Sequence, residues 1–302
     1  MHKILFGDNQ FFGINHLSEE KAMAQALRFR NINKIISVLE YVYDIGIRVF
    51  MCTTHDRIAD ICEYFRKHSA KYSDFEFYPC MPYAHKYANA VTELGIIGAL
   101  KKFMEGHILG SVVKGGLAIA TKDYISIMQL LIDAEMSMFK DLNTPIIFLQ
   151  NVVTDLLLGL GMKEIFLAFY EYIQKKYKAE AGFITMNMPM LLDTLEEIGI
   201  KNPIICFSIN KIGFRMSGGR ELYERTLKER NFRAIAMQVL AAGALSPKEA
   251  IEYVCSLDGI DSILFGASTP AHIKETKELI ETNFLKKSYN ELNLMHNHFR
   301  KD

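Results

Sequence analysis

Short apolar runs rich in β-branched and aromatic residues alternate along this chain with longer stretches whose apolar positions recur at helical spacing. That alternation is the pattern of parallel strands joined by crossover helices. The runs predict strands over 3–7, 48–53, 75–81, 145–150, 182–187, 204–209, 234–238 and 262–265. Helices are expected over 32–45, 56–68, 92–104, 160–176, 190–198, 219–229, 247–256 and 270–281. Eight strands with helices between them predict an α/β protein of the (β/α)8 TIM-barrel class. Two helix starts carry their own signature. Ser246 precedes Pro247 and Thr269 precedes Pro270, each a capping hydroxyl followed by proline where a missing N–H costs nothing.

The segment 106–143 is longer than one crossover needs and predicts an added helix over 122–139, after the loop marked by Gly115 and Gly116. Ile127, Leu130, Leu131 and Ala134 recur at helical spacing, which fits packing on the barrel flank; a lid is the other reading. No Pro-, Gly- or Ser-rich linker divides the chain, so residues 1–302 are expected to form a single domain. The polar tail 296–302 is expected to fray.

Charge narrows the partners. Lys+Arg and Asp+Glu both number 35, so no global field draws the chain to nucleic acid or an anionic membrane, and no run has the length and apolarity of a membrane span. The expected partner is a small-molecule ligand. The five cysteines are scattered and odd in number, which suits a reducing compartment. The first residues, MHKILFGDNQ, run directly into a strand without the pattern of a signal peptide. A cytoplasmic location is expected.

In a barrel of this class ligands meet the carboxyl ends of the strands and the loops that follow. Those positions hold Asp8, Asn9, Gln10 and His16 after the first strand, and Thr53, Thr54, His55 and Asp56 after the second. Tyr83, His85 and Lys86 follow the third; Gln150, Asn151, Asn187, Ser208, Asn210, Lys211 and Arg215 follow later ones. His55 and His85 are candidate general acids or bases, since imidazole titrates near neutrality; Tyr83 and Asp8 join them as catalytic candidates. Asn9, Gln10, His16, Gln150, Asn151, Asn187, Asn210 and Lys211 are candidate substrate contacts. Asp8, Asn9 and Gln10 equally suit a network that closes the barrel mouth or caps a helix at Ser18. His16, His55 and His85 lack a tight ligand pair such as His-x-His, and no metal is expected. The glycine turns at Gly243 and Gly266 follow strands seven and eight, where many barrels hold a phosphate on backbone N–H groups. The hydroxyls of Ser268 and Thr269 favour that reading over simple turn geometry.

Two segments in the last third carry a resemblance. AIAMQVLAAGALSPKEAIEYV, residues 234–254, with Leu240, Gly243 and Leu245, is similar to the seventh-strand turn and helix of the aldo-keto reductases. GASTPAHIKET, residues 266–276, resembles that family's eighth-strand turn and adenosine-phosphate helix, with Gly266, Ala267, Ser268, Pro270 and Glu275 in agreement. His272 stands where Arg or Gln is usual, and Thr276 where Asn is. GIRVF, residues 46–50, resembles the family's approach to its second strand. The resemblance implies a barrel that binds NADP, or another phosphorylated ligand, through Gly243, Gly266, Ser268, Thr269, His272 and Glu275.

The family's Asp, Tyr, Lys and His tetrad is missing. Met51 occupies the Asp position, CTTHDRIAD (52–60) has no Tyr, Met81 and Pro82 stand at the Lys, and Gln150 stands at the His. The nicotinamide-stacking position holds Met237 or Gln238. The expectation is a divergent enzyme on a small polar metabolite, with proton transfer moved to His55, His85 or Tyr83. A non-redox barrel enzyme (lyase, isomerase or hydrolase) on a sugar-like or phosphorylated substrate, and a non-catalytic ligand-binding barrel, are the alternatives.

Overall fold

The computed structural model describes residues 1–13, 19–83 and 124–298, the last with side chains as far as Tyr289. Eight parallel strands run in sequence order and close, the last pairing back onto the first. The first half comprises β1 (Ile4–Gly7), α1 (Glu19–Arg28), α2 (Ile32–Asp44), β2 (Val49–Thr53), α3 (Asp56–Lys67) and β3 (Glu76–Met81). The middle adds α4 (Tyr124–Met136), β4 (Ile146–Leu149), α5 (Asn151–Leu160), α6 (Lys163–Tyr172), β5 (Glu180–Thr185) and α7 (Met188–Glu197). The last part holds β6 (Ile204–Ser208), α8 (Arg220–Glu229), β7 (Arg233–Met237), α9 (Pro247–Ser256), β8 (Ile260–Phe265) and α10 (Pro270–His298). The chain is thus the α/β barrel that its pattern predicts.

The strands read as nearly unbroken apolar runs because they are covered on both faces: every residue of β4 and β6 is buried. Two compact units divide the residues, Met1–Arg48 with Phe207–Asp302, and Val49–Cys206. In the first, Ile4, Leu5 and Phe6 lie in register with Ile263, Leu264 and Phe265. In the second, β3 carries Pro79 in mid-strand. Phe77 N–H donates to Asn143 O at 2.8 Å; the donor two residues on would be Pro79, which has none, and pairing with β4 resumes at Cys80 and Met81. The rings of Phe65, Tyr72, Phe75 and Phe77 pack α3 and its following turn onto this strand.

Both capped helix starts form. Ser246 Oγ accepts from Glu249 N–H at 3.3 Å and Thr269 Oγ1 from His272 N–H at 3.2 Å. Several boundaries differ from expectation. The helix expected over 160–176 is α6 with the π-helical turn Ile173–Tyr177, and before it stands a helix that was not expected, α5, which begins directly after β4 and ends at Gly161 in the left-handed conformation (φ 67°). Strand β5 starts two residues before its expected position and ends two before. Helix α10 runs past 281, to His298, and the rest of the tail expected to fray, 299–302, lies outside the described residues. The expected helix 122–139 is α4 followed by a 3-10 turn, Ser137–Phe139. The expected helix over 92–104, with Gly115 and Gly116, lies outside the described residues, as do His16, Ser18, His85 and Lys86. Among the described residues no helix is long and apolar enough to cross a membrane.

Candidate functional site

In the first unit the end of β1 turns into a 3-10 turn, Asn9–Phe11, in which Asp8 O accepts from Phe11 N–H at 2.8 Å. Asp8 and Gln10 are buried and Asn9 is exposed. Gln10 Nε2 donates to Gly7 O at 2.7 Å, and its amide lies against Gly266, where a Cβ would stand 2.2 Å from Gln10 Oε1. Asn210 is fully buried after β6. It clamps its own loop, donating from Nδ2 to Phe214 O at 2.9 Å and accepting Phe214 N–H on Oδ1 at 2.8 Å. Ser208 Oγ meets Gln238 Oε1 at 2.8 Å. Lys211 pairs with Glu249 at 2.7 Å.

The two glycine turns differ in what they offer an anion. After β7 the backbone is left-handed at Gln238, Ala241, Ala242 and Gly243 (φ 55°, 47°, 57° and 96°), conformations that cost a non-glycine residue about 1–2 kcal/mol. A Cβ on Gly243 would meet nothing within 4 Å, so its conformation, not crowding, calls for glycine. Ala241, Gly243, Ala244 and Leu245 donate their N–H groups to carbonyls within 238–241. The turn between β8 and α10 is more open. Pro270 has no N–H and His272 donates to Thr269; among the described residues the N–H groups of Ser268, Thr269 and Ala271 find no acceptor. Gln25 of α1 reaches this turn, Nε2 to Ser268 Oγ at 3.4 Å, while its Oε1 is buried with no donor among the described residues. His272 and Glu275 are exposed on the first turns of α10.

In the second unit His55 caps α3, its Nδ1 accepting Arg57 N–H at 3.1 Å. A neutral ring held this way carries its proton on Nε2. The Tyr83 ring stands 5.9 Å from the His55 ring, centroid to centroid. Between the segments that bear them lies a carboxylate the sequence reading missed. Glu135 of α4 is 2% exposed; it accepts from Thr54 Oγ1 at 2.5 Å and from Tyr83 N–H at 3.1 and 3.2 Å. Helical spacing pointed to Ile127, Leu130, Leu131 and Ala134 as the packed face, whereas the structure buries Met128, Ile132, Glu135 and Met136, and a carboxylate at a core position demands partners. A second missed acid is Asp155 of α5, which accepts Thr185 Oγ1 at 2.5 Å and Met186 N–H at 3.1 Å. Burial pushes its carboxyl above the ordinary carboxylate range, against those hydrogen bonds.

Gln150 is buried, its N–H on Met81 O at 2.9 Å, and Asn151 opens α5 half-buried. Asn187 precedes α7 with Nδ2 on Met190 Sδ at 3.5 Å. Met51 and Met81, which the resemblance would align with two positions of the aldo-keto reductase tetrad, are buried. Among the described residues no group of three His, Cys, Asp or Glu could hold a metal ion.

No protein-family model and no curated protein matches the chain. Solved structures do. A protein assigned to the aldo-keto reductases from Pseudomonas aeruginosa is 10% identical, with a TM-score of 0.55 over 93% of this chain and 90% of that one. The holo form of the aldo-keto reductase AKR11C1 from Bacillus halodurans is 11% identical, with a TM-score of 0.51 over 92% and 86%. A thermostable aldo-keto reductase bound to the inhibitor epalrestat is also 11% identical, with a TM-score of 0.51 over 93% and 90%. Likeness at this identity is likeness of fold: the chain forms an α/β barrel similar to those of the aldo-keto reductases.

Proposed function

We propose that this barrel is an enzyme acting on a small polar metabolite, with NADP or another phosphorylated ligand held at the turn between β8 and α10. The observation that carries the reading is the set of donors there. Ser268, Thr269 and Ala271 offer N–H groups at the amino end of a long helix, and Ser268 adds a hydroxyl. Such a donor set, with the helix dipole behind it, suits a phosphate. The buried Gln25 Oε1 would accept from a hydroxyl or amide of the same ligand. The left-handed run after β7 supports a functional role for that neighbouring turn, since strain of this kind collects at binding sites. NADPH, when bound, supplies hydride to a carbonyl carbon.

Within the second unit, the side chains that suit proton transfer are His55 and Tyr83. His55 Nε2 bears the exchangeable proton, and Glu135 anchors the backbone at Tyr83 and the hydroxyl of Thr54 beside His55. A second reading, non-redox chemistry on a phosphorylated or sugar-like substrate, draws on the buried Met51 and Met81, which cannot carry the family's proton relay. The five cysteines, all buried and free of disulfides, suit the cytoplasm.

Titration with NADPH, followed by the cofactor's own fluorescence, tests the cofactor; the chain has no tryptophan to interfere. Saturable binding weakened about tenfold by Ser268→Ala is expected, the loss of one hydrogen bond to a charged group. Undiminished binding in that variant removes the phosphate assignment. Failure of NADPH to bind, with phosphorylated metabolites binding instead, favours the second reading.

A further inference from the structure

A groove of about 680 Å3 opens at the amino ends of β1 and β8, beside the turn that leads into β2 and one face of α10. Small-ligand sites are commonly of this size. Four cations line it, Lys3, Arg48, Lys277 and Lys287, against two carboxylates, Asp261 and Glu281. Both carboxylates are engaged. Asp261 Oδ2 accepts Ala234 N–H at 2.8 Å, and Glu281 pairs with Lys277 at 2.6 Å. Lys287 is turned to Asp258 and to the Leu257 carbonyl, and Arg48 donates to Tyr43 O at 2.6 Å.

Lys3 is placed differently. Its ammonium lies 5.0 Å from the centroid of the Phe284 ring, and among the described residues no carboxylate pairs with it. Leu285, the next residue on α10, is 71% exposed. A cation on an aromatic face retains its charge toward solvent, and the exposed leucine beside it favours an apolar body. We infer that this groove is a second ligand site, apart from the β8–α10 turn, for a soluble amphipathic anion: a carboxylate, sulfonate or phosphate ester carrying an aryl or alkyl group. The acidic head pairs with Lys3, within reach of the excess positive charge of the lining, and the apolar body lies along Phe284 and Leu285. Ile4, Ile47, Ile260 and Ile280 are buried beneath it and give the groove an apolar floor.

Anilinonaphthalene sulfonate is a suitable probe, an aryl monoanion that fluoresces when its ring leaves water. Saturable binding is expected, weakened about tenfold or more by Lys3→Glu, the loss of one charge-assisted contact plus like-charge repulsion. Phe284→Ala should weaken it as well. Phenylnaphthylamine, which keeps the rings and lacks the sulfonate, should bind wild type at least about tenfold more weakly on the same ground. Lys3 is exposed, so Lys3→Glu should melt as wild type does and bind NADPH unchanged. Absence of saturable binding, or wild-type affinity in Lys3→Glu, overturns the assignment. Neither result bears on the NADPH titration, so the two sites stand or fall separately.

Discussion

Gly266→Ala asks whether the glycine after β8 serves the protein or a ligand. An added Cβ would stand 2.2 Å from Gln10 Oε1 and 3.1 Å from Cδ, roughly 1 Å inside ordinary contact at the closer atom. A flexible side chain would normally swing clear. Gln10 is 5% exposed and its Nε2 is committed to Gly7 O at 2.7 Å, so the amide retreats only by giving up that bond. Loss of one buried hydrogen bond costs about 1–1.5 kcal/mol, and residual crowding adds of order 1 kcal/mol. The variant should therefore lose about 2 kcal/mol, read by urea unfolding followed by far-UV circular dichroism. Gln10→Ala empties the space the new methyl needs. In that background Gly266→Ala should cost only a few tenths of a kcal/mol, a coupling near 1.5–2 kcal/mol. Equal costs in the two backgrounds, within about 0.5 kcal/mol, would refute the steric account. If a bound phosphate is what requires glycine, NADPH affinity should fall in both backgrounds while stability holds.

Gly182→Ala should be more damaging, about 3 kcal/mol or more, because its Cβ would lie 2.3 Å from Cε1 of the fully buried Phe148 ring; Phe148→Leu should recover part of the loss, and a cost below about 1 kcal/mol counts against the packing described. Asp155 gives a pH signature. Its native carboxyl is raised by burial, so the native state holds the proton more tightly than the unfolded chain, and stability at this position falls as pH rises from the unfolded carboxyl value through the native one. The stability of wild type relative to Asp155→Asn should therefore shrink from acid toward neutral pH in a urea series, and a pH-independent difference would contradict this. Burial pushes Cys62 up to about 12 and Cys255 to about 11, and raises Cys206 further. Native protein near neutral pH should resist iodoacetamide and expose five thiols only on denaturation; rapid labelling of the native chain would contradict their burial.

The local chemistry of the chain was legible where one stretch of residues decides the outcome. Apolar runs marked all eight strands because both faces of each are covered, and the Ser246–Pro247 and Thr269–Pro270 pairs marked two helix starts because capping involves only adjacent residues. Helix α5, directly after β4, was not legible: its apolar residues follow those of the strand without a turn signal between them, so the two run together in the pattern. His55 and Tyr83 could be placed at strand ends from the sequence, but not the carboxylate that joins their segments. Glu135 lies 81 residues from Thr54 and 52 from Tyr83, and Asp155 lies 30 from Thr185.

The order of strands and helices, and the residue types at the carboxyl ends, follow from the residue pattern alone. Which of those side chains meet depends on how the strands pair. Gln10 is remote in the chain from Gly266, yet their contact follows once β1 pairs with β8. Periodicity reports which face of an element is buried; it carries no information about the neighbour across a closed ladder. The same limit applies to Gly266. From sequence it read as a phosphate turn; the fold adds that the amide of Gln10 fills the space where its side chain would be.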